Sequence, residues 1–231
     1  MNVGIIGSGN IGSTLARNLK ALGNTVLIAN SRGPSTLAEF AAETGVVAAT
    51  VEQAAQARDL VIIAIPQLAV SNLPLDVLRA NAAVVVDAGN YYPTRDGVVA
   101  EVEAGATDSE WIASVLGRPV IKAFNNIVAN SLATRDALSG TAERVALSVA
   151  GDDVNAKKLV ESVVEQLGFD AVDGGTLAES WRQQPGTPAY CKDLNAAQLK
   201  AALASADHAE IKRYRKEADE AAAPYLKPFK G

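Results

Sequence analysis

A doubly wound α/β fold, with a mostly parallel sheet covered on both faces by helices, is what this 231-residue sequence predicts. Three observations predict it. Short apolar runs rich in Val and Ile recur, as strands buried on both faces require. Helical segments separate them, and the first run passes directly into a glycine turn that opens a helix.

Met1-Asn2-Val3-Gly4-Ile5-Ile6 places a strand within 2–7, and Gly7-Ser8-Gly9-Asn10-Ile11-Gly12 leads into a helix over 11–22. Further strands are predicted near 25–30, 46–49, 59–65, 83–88, 119–123, 144–150 and 169–173. Helices are predicted over 35–44, 51–57, 68–79, 108–116, 127–138, 153–167, 176–182 and 195–222. The continuous part of the sheet is expected to run to about Ala150. This divides the chain into a nucleotide-binding domain, 1–150, and a C-terminal section, 151–231, that completes the sheet, carries a short helical arm and caps the site. That section is too short for a large all-helical substrate domain, so a second ligand must share a crevice between the strand ends and this piece, or a partner subunit.

Composition narrows the function classes. Apolar residues make up 48% of the chain, as a globular protein requires, and a net charge of −5 with acids and bases interspersed argues against nucleic acid or an anionic membrane as partner. One cysteine excludes an internal disulfide and fits a reducing, cytoplasmic setting. The longest apolar runs fall well short of the ~20 residues of a membrane span. The N-terminus lacks a basic segment and a cleavage site, so it is expected to be mature. No metal site is expected.

The glycine turn has the order a dinucleotide pyrophosphate needs. Gly7 permits the tight turn, Gly9 lets the backbone approach the phosphates, and Gly12 lets the helix pack near the strand. The anion then meets the unpaired N–H groups of Ser8, Asn10 and Ile11 at the helix start. The second strand ends in Asn30-Ser31-Arg32, where an NAD-binding chain places an acid for the ribose 2′-hydroxyl. A carboxylate would repel a 2′-phosphate, whereas the Ser31 hydroxyl and the Arg32 guanidinium are suited to one, so NADP(H) is the expected dinucleotide. The competing reading is a solvated loop cation. Ligands of such sheets lie beyond the carboxyl ends of strands, which singles out Ala64-Ile65-Pro66, Ala88-Gly89-Asn90 and Ala123-Phe124-Asn125, with Asn90 and Asn125 able to serve a carboxamide.

Gly7-Ser8-Gly9-Asn10-Ile11-Gly12, Asn30-Ser31-Arg32, Lys122-Ala123-Phe124-Asn125-Asn126 and Ala150-Gly151-Asp152-Asp153 together resemble the NADP oxidoreductase, coenzyme deazaflavin-dependent family. That family includes NADPH:8-hydroxy-5-deazaflavin oxidoreductases and is similar to the reductase domains of six-transmembrane metalloreductases. The resemblance covers roughly residues 1–175. It implies a Rossmann-type fold, NADP(H) as hydride carrier, Ser31 and Arg32 at the 2′-phosphate, and a homodimer. The chain departs from the deazaflavin enzymes after Ser180.

Acid–base candidates are few. His208 lies in a polar helix and is expected at the surface, and Lys122 is the one candidate proton donor, its alternative being an ordinary surface charge. Hydride transfer to a flavin-like, deazaflavin or quinone-type ring needs no protein acid, so the shortage favours such an acceptor. The rivals are an imine or carbonyl reductase in which Lys122 or a bound water supplies the proton, and a non-catalytic NADPH-sensing module. Cys191 has no second cysteine and is expected to be a bystander. The loop from Trp181 to Tyr190 either caps the nicotinamide crevice or packs on the sheet edge. The basic run Lys212–Lys216 is flanked by acids and is expected to form ion pairs on a wet face.

Overall fold

The computed structural model describes residues 1–134 and 144–228. Its strands are β1 (Asn2–Ile6), β2 (Thr25–Ala29), β3 (Val47–Ala48), β4 (Leu60–Ile63), β5 (Val84–Asp87), β6 (Ile121–Lys122), β7 (Ala146–Val149) and β8 (Asp170–Asp173). The helices are α1 (Asn10–Ala21), α2 (Ala38–Thr44), α3 (Val51–Ala55), α4 (Leu75–Ala80), α5 (Pro93–Asp96), α6 (Ala100–Glu103), α7 (Asp108–Leu116), α8 (Ala129–Thr134), α9 (Val154–Gln166), α10 (Ala196–Ser205) and α11 (Ile211–Ala222).

The first six strands form one all-parallel sheet in the order β3-β2-β1-β4-β5-β6. The order reverses between β1 and β4, the switch point at which such sheets open a crevice. Side chains alternate across it, as the two-residue period of a strand demands. Ile5, Ile62 and Val86 pack with Leu15 and Leu19 of α1 and Val160 and Val164 of α9 on one face. Ile6, Val61, Ile63 and Val85 pack with Leu78 of α4 and Ile112 and Leu116 of α7 on the other. With both faces covered, no position along β4 can be polar, and Leu60-Val61-Ile62-Ile63 is wholly buried.

The sheet is not continuous to Ala150. β7 pairs with β8 in a separate parallel ladder, which meets β6 through an antiparallel bridge between Lys122 and Ala150. The two backbone bonds of that bridge, 2.8 and 3.0 Å, reverse the strand direction without a hairpin.

Two expected long helices are broken. Over 68–79 the chain makes a 3-10 turn, Gln67–Asn72, then α4, because Pro74 forces Leu73 into extended geometry at ψ 160. Over 195–222, Ala206 is extended and the Asp207 carboxylate accepts from the Ala209 N–H, restarting the chain as α11. The 176–182 helix is a 3-10 segment, Leu177–Gln183, and α5 and α6 are not foreseen by the strand-and-helix pattern. Of the 127–138 helix, Ala129–Thr134 is realised as α8, 127–128 are not helical, and 135–138 lie outside the described residues.

On α11, Arg213 pairs with Glu210 and Glu217, and Lys216 with Glu220, as expected of a wet face. Arg215 departs from it. It is buried, pairs with Glu103 at 3.0 Å and lies over the Tyr91 ring, so it fastens α11 to α6.

No helix among the described residues is long and apolar enough to cross a membrane.

Candidate active site

A cleft of about 850 Å³ opens at the carboxyl ends of β1, β2 and β4. Gly7, Ser8 and Gly9 form its floor. Asn30, Ser31, Arg32, Gly33 and Pro34 make one wall, Ala64, Ile65, Pro66, Ala69, Asn72, Leu73 and Pro74 the other, and Thr50, Val51 and Glu52 close the far end.

The three motif glycines answer to different constraints. Gly7 has φ +118, and a Cβ there would lie 2.2 Å from Ala64 O; at Gly12 it would lie 2.0 Å from Gly7 O. Both are required by the protein's own packing. Gly9 is not. Its φ of −73 suits any residue, and a Cβ would meet no protein atom within 4 Å. The space above Gly9 is therefore open to the cleft. Gly9 also caps α1 without a side-chain acceptor, and the first turn holds no acid, so the N–H groups of Asn10, Ile11 and Gly12 have no side-chain cap.

Asn30 stands where an acid would bind a ribose and acts as a brace. Its Oδ1 accepts from the Arg32 N–H at 2.9 Å, closing a turn that sets the direction of Ser31 and Arg32. Its Nδ2 donates to Ser8 Oγ at 3.1 Å and to Thr36 Oγ1 at 3.0 Å. A carboxylate could not make those donations. Arg32 makes no ion pair among the described residues. Arg32 and Ser31 thus form an open cationic and hydroxyl pair in the same cleft as the uncapped helix start, a donor set that fits a dinucleotide carrying a 2′-phosphate.

One strand further, Ala88-Gly89-Asn90 abuts this wall: a Cβ on Gly89 would lie 3.3 Å from Ile65 O. Gly89 is held at both of its backbone groups. Its N–H donates to Asp87 Oδ1 at 2.9 Å, and its carbonyl accepts from Lys122 Nζ at 2.7 Å. Asp87 and Lys122 pair at 3.0 Å with side chains 2% and 0% exposed, and Ser109 Oγ adds a bond of 2.7 Å to Asp87. Lys122 is therefore neither a surface charge nor a donor facing a ligand, because its ammonium is sealed in the core by two partners. Nearby, burial raises the Asp108 carboxyl above its ordinary value, opposed chiefly by the Lys122 charge, and Asp108 accepts from the Tyr91 N–H.

At the end of β6, Ala123 and Phe124 are fully buried and do not line the cleft. Phe124 takes a left-handed φ of +64. Asn125 is committed to protein partners. Its Nδ2 donates to Asn90 Oδ1 at 3.1 Å and Gln183 O at 2.8 Å, and its Oδ1 accepts from Gln183 Nε2 at 2.8 Å. Asn125 thereby orients Asn90 and anchors the arm.

The Trp181–Tyr190 loop runs across these strand ends. Gln183 is fully buried, bonded to Asn125 and to Ser148, and Tyr190 reaches Asn90 and Tyr92. Cys191 follows at φ +52; burial pushes its thiol up to about 11, against a hydrogen bond from Tyr190, so it stays protonated at neutral pH. His208 is exposed and meets Trp181 edge-on at 4.9 Å.

Thr50, Val51, Glu52 and the Ala69–Pro74 wall lie outside the sequence expectation. The signal for the first group is present in the chain as a Thr50–Gln53 capping box at a strand end; no comparable signal marks the second.

A doubly wound sheet with a glycine turn and an open phosphate-type pair at its switch point defines a Rossmann-type fold with a cleft suited to a dinucleotide. Residues 2–91 match the profile of the family of NADP oxidoreductases, coenzyme F420-dependent. Over the fold the chain is similar to the hypothetical protein SMa0349 of Sinorhizobium meliloti, at 32% identity and TM-score 0.70, covering 84% of this chain and 96% of that one. A structure from Arthrobacter sp. FB24, named as a candidate F420-dependent NADP-reductase, shares the fold at TM-score 0.65 and 22% identity, covering 78% and 87%. Rat metalloreductase STEAP3 is 28% identical over 179 residues, 77% of this chain and 34% of that protein. The chain spans less than half the length of the curated relatives it matches.

Proposed function

We propose that this protein passes hydride between NADP(H) and a ring acceptor of the flavin-like, deazaflavin or quinone type. Bound NADP(H) supplies the hydride chemistry. Arg32 and Ser31 hold the 2′-phosphate, the N–H groups at the start of α1 take the pyrophosphate over Gly9, and Ile65, Pro66, Gly89 and Asn90 flank the nicotinamide. Asn90 keeps that flank polar, and the ion pair beneath Gly89 keeps it rigid.

The acceptor class is carried by the sealing of Lys122. Reduction of an imine or carbonyl generally draws on a positioned proton donor, commonly His, Lys or Tyr; Lys122 is taken by Asp87 and the Gly89 carbonyl, and the hydroxyls of Tyr92 and Tyr190, near Asn90, are bonded to one another. A ring acceptor needs orientation and excluded water more than an acid. Steady-state NADPH oxidation with 8-hydroxy-5-deazaflavin, riboflavin, a naphthoquinone and cyclic imines tests this. Turnover is expected with rings and with NADPH in preference to NADH; turnover confined to imines would overturn it. The family resemblance and the single cysteine also support a homodimer acting in the cytoplasm, and a monomer at micromolar concentration in sedimentation equilibrium would remove the dimer.

A further inference from the structure

Past β5 stands a polar group that cofactor binding leaves unused. Tyr92 follows the Gly89 turn and Tyr190 lies in the arm, yet their hydroxyls are 2.5 Å apart, and Asn90 Nδ2 donates to Tyr190 Oη at 3.4 Å. Both side chains are half-buried. Two phenols carry two hydroxyl hydrogens, and the bond between them uses one. The other is bonded to the Cys191 sulfur, a weak acceptor that a carbonyl oxygen would displace.

The charge of this place is also defined. Arg95 lies 5.4 Å from the Tyr92 ring centre, but its guanidinium is taken by Asp96 at 2.8 and 3.1 Å and by the Asn90 carbonyl at 2.5 Å. The site therefore offers a neutral donor and no free cation. Burial raises both phenols above their ordinary value, and in Tyr190 the contact with Tyr92 adds to it, so the donors stay protonated. Strand order fixes the location. With the adenosine end on β2, the reactive end of a dinucleotide points toward β4 and β5, and Asn90 connects the Ile65 wall to Tyr190.

We propose that the Tyr92–Tyr190 pair is the hydrogen-bond donor to a carbonyl oxygen of the hydride acceptor, which selects uncharged carbonyl-bearing rings over protonated imines. This rests on the NADP(H) reading above. A protonated imine has no lone pair to accept such a bond, and a neutral pair gives no compensation for its charge. A ring carbonyl accepts it in the ground state and more strongly as negative charge gathers on the oxygen.

Tyr92→Phe and Tyr190→Phe keep the rings and delete the hydroxyls. Three quantities test them: NADPH affinity by calorimetry, binding of 2-methyl-1,4-naphthoquinone to the NADP⁺ complex by tryptophan quenching, and thermal unfolding. We expect each variant to weaken naphthoquinone binding roughly 3- to 10-fold, with NADPH affinity held within about twofold and the unfolding midpoint little changed. Naphthoquinone binding equal to wild type in both variants would overturn the proposal. So would failure of the wild type to bind the quinone, or a joint fall of NADPH affinity, quinone affinity and unfolding midpoint, which would mark the pair as a clasp for the arm. Should the wild type bind no NADPH, the cofactor reading fails; should it bind NADPH with quinone affinity insensitive to both hydroxyls, this inference alone fails.

Discussion

Lys122→Met separates a structural lysine from a catalytic or solvated one. In the folded chain Lys122 neutralises Asp87 at 3.0 Å with both side chains sealed from water, and it also holds the Gly89 carbonyl. Methionine fills the volume but leaves Asp87 with hydrogen bonds from Ser109 and Gly89 and no ion-pair partner among the described residues, close to the buried Asp108. Breaking a buried pair from one side costs about 3–5 kcal/mol, against ~0–1 kcal/mol for an exposed pair. In a chain of this size each kcal/mol moves the unfolding midpoint about 2–4 °C, so a fall on the order of 6–20 °C is expected. Thermal unfolding measures that fall, and urea unfolding at pH 7 of the wild type, Lys122→Met, Asp87→Asn and the double variant measures the free energies. The double variant removes the orphaned charge and is expected to be more stable than the sum of the single losses by about 1–3 kcal/mol. A loss below about 1 kcal/mol in Lys122→Met, or strict additivity, would refute the reasoning.

Gly9→Ala and Gly12→Ala should part company. The first is expected to lose under about 1 kcal/mol of stability while NADPH affinity falls at least roughly tenfold, and the second to unfold the protein or lower its midpoint sharply through the clash with Gly7 O; differential scanning fluorimetry with and without NADPH distinguishes them. Arg32→Ala should weaken NADPH by roughly 10- to 100-fold, the loss of a charged hydrogen bond of about 1.5–3 kcal/mol, and leave NADH nearly unaffected; an equal loss for both by calorimetry contradicts the 2′-phosphate assignment. Asp108 sets a pH dependence. Its folded pKa is raised, so the unfolded chain ionises first and this group's contribution to stability declines as pH climbs from the unfolded value toward the folded one. Asp108→Asn should therefore gain on the wild type as pH rises above about 4 in urea titrations, and a relative loss on that rise would reverse the sign.

Where pattern and physics coincide, the chain is readable. The wholly apolar β4 and the glycine turn can be read because burial on both faces and anion binding each demand a narrow set of residues. Asn30-Ser31-Arg32 is readable for its charge, but the bracing by Asn30 is not, since it depends on Ser8 and Thr36 arriving at the same place. Lys122 defeats a local reading altogether. A lysine at a strand end is ordinarily solvated, and what submerges it here is Asp87, thirty-five positions earlier. The same is true of Asn125, whose amide looks free until Gln183 is seen beside it, and of Arg215 inside a run of solvated charges. The helix breaks at Pro74 and Asp207 are legible by local rules, but the rhythm of apolar residues runs through both.

The contacts around Asn90 join distant parts of the sequence. Every residue lining the large cleft belongs to the first 74, although the sheet beneath it is packed by α7 and α9 from later in the sequence. Tyr190 reaches back across 100 positions and Gln183 across 58. The cofactor side is thus encoded by one contiguous third of the sequence, whereas the opposite side is assembled from segments that lie far apart in it.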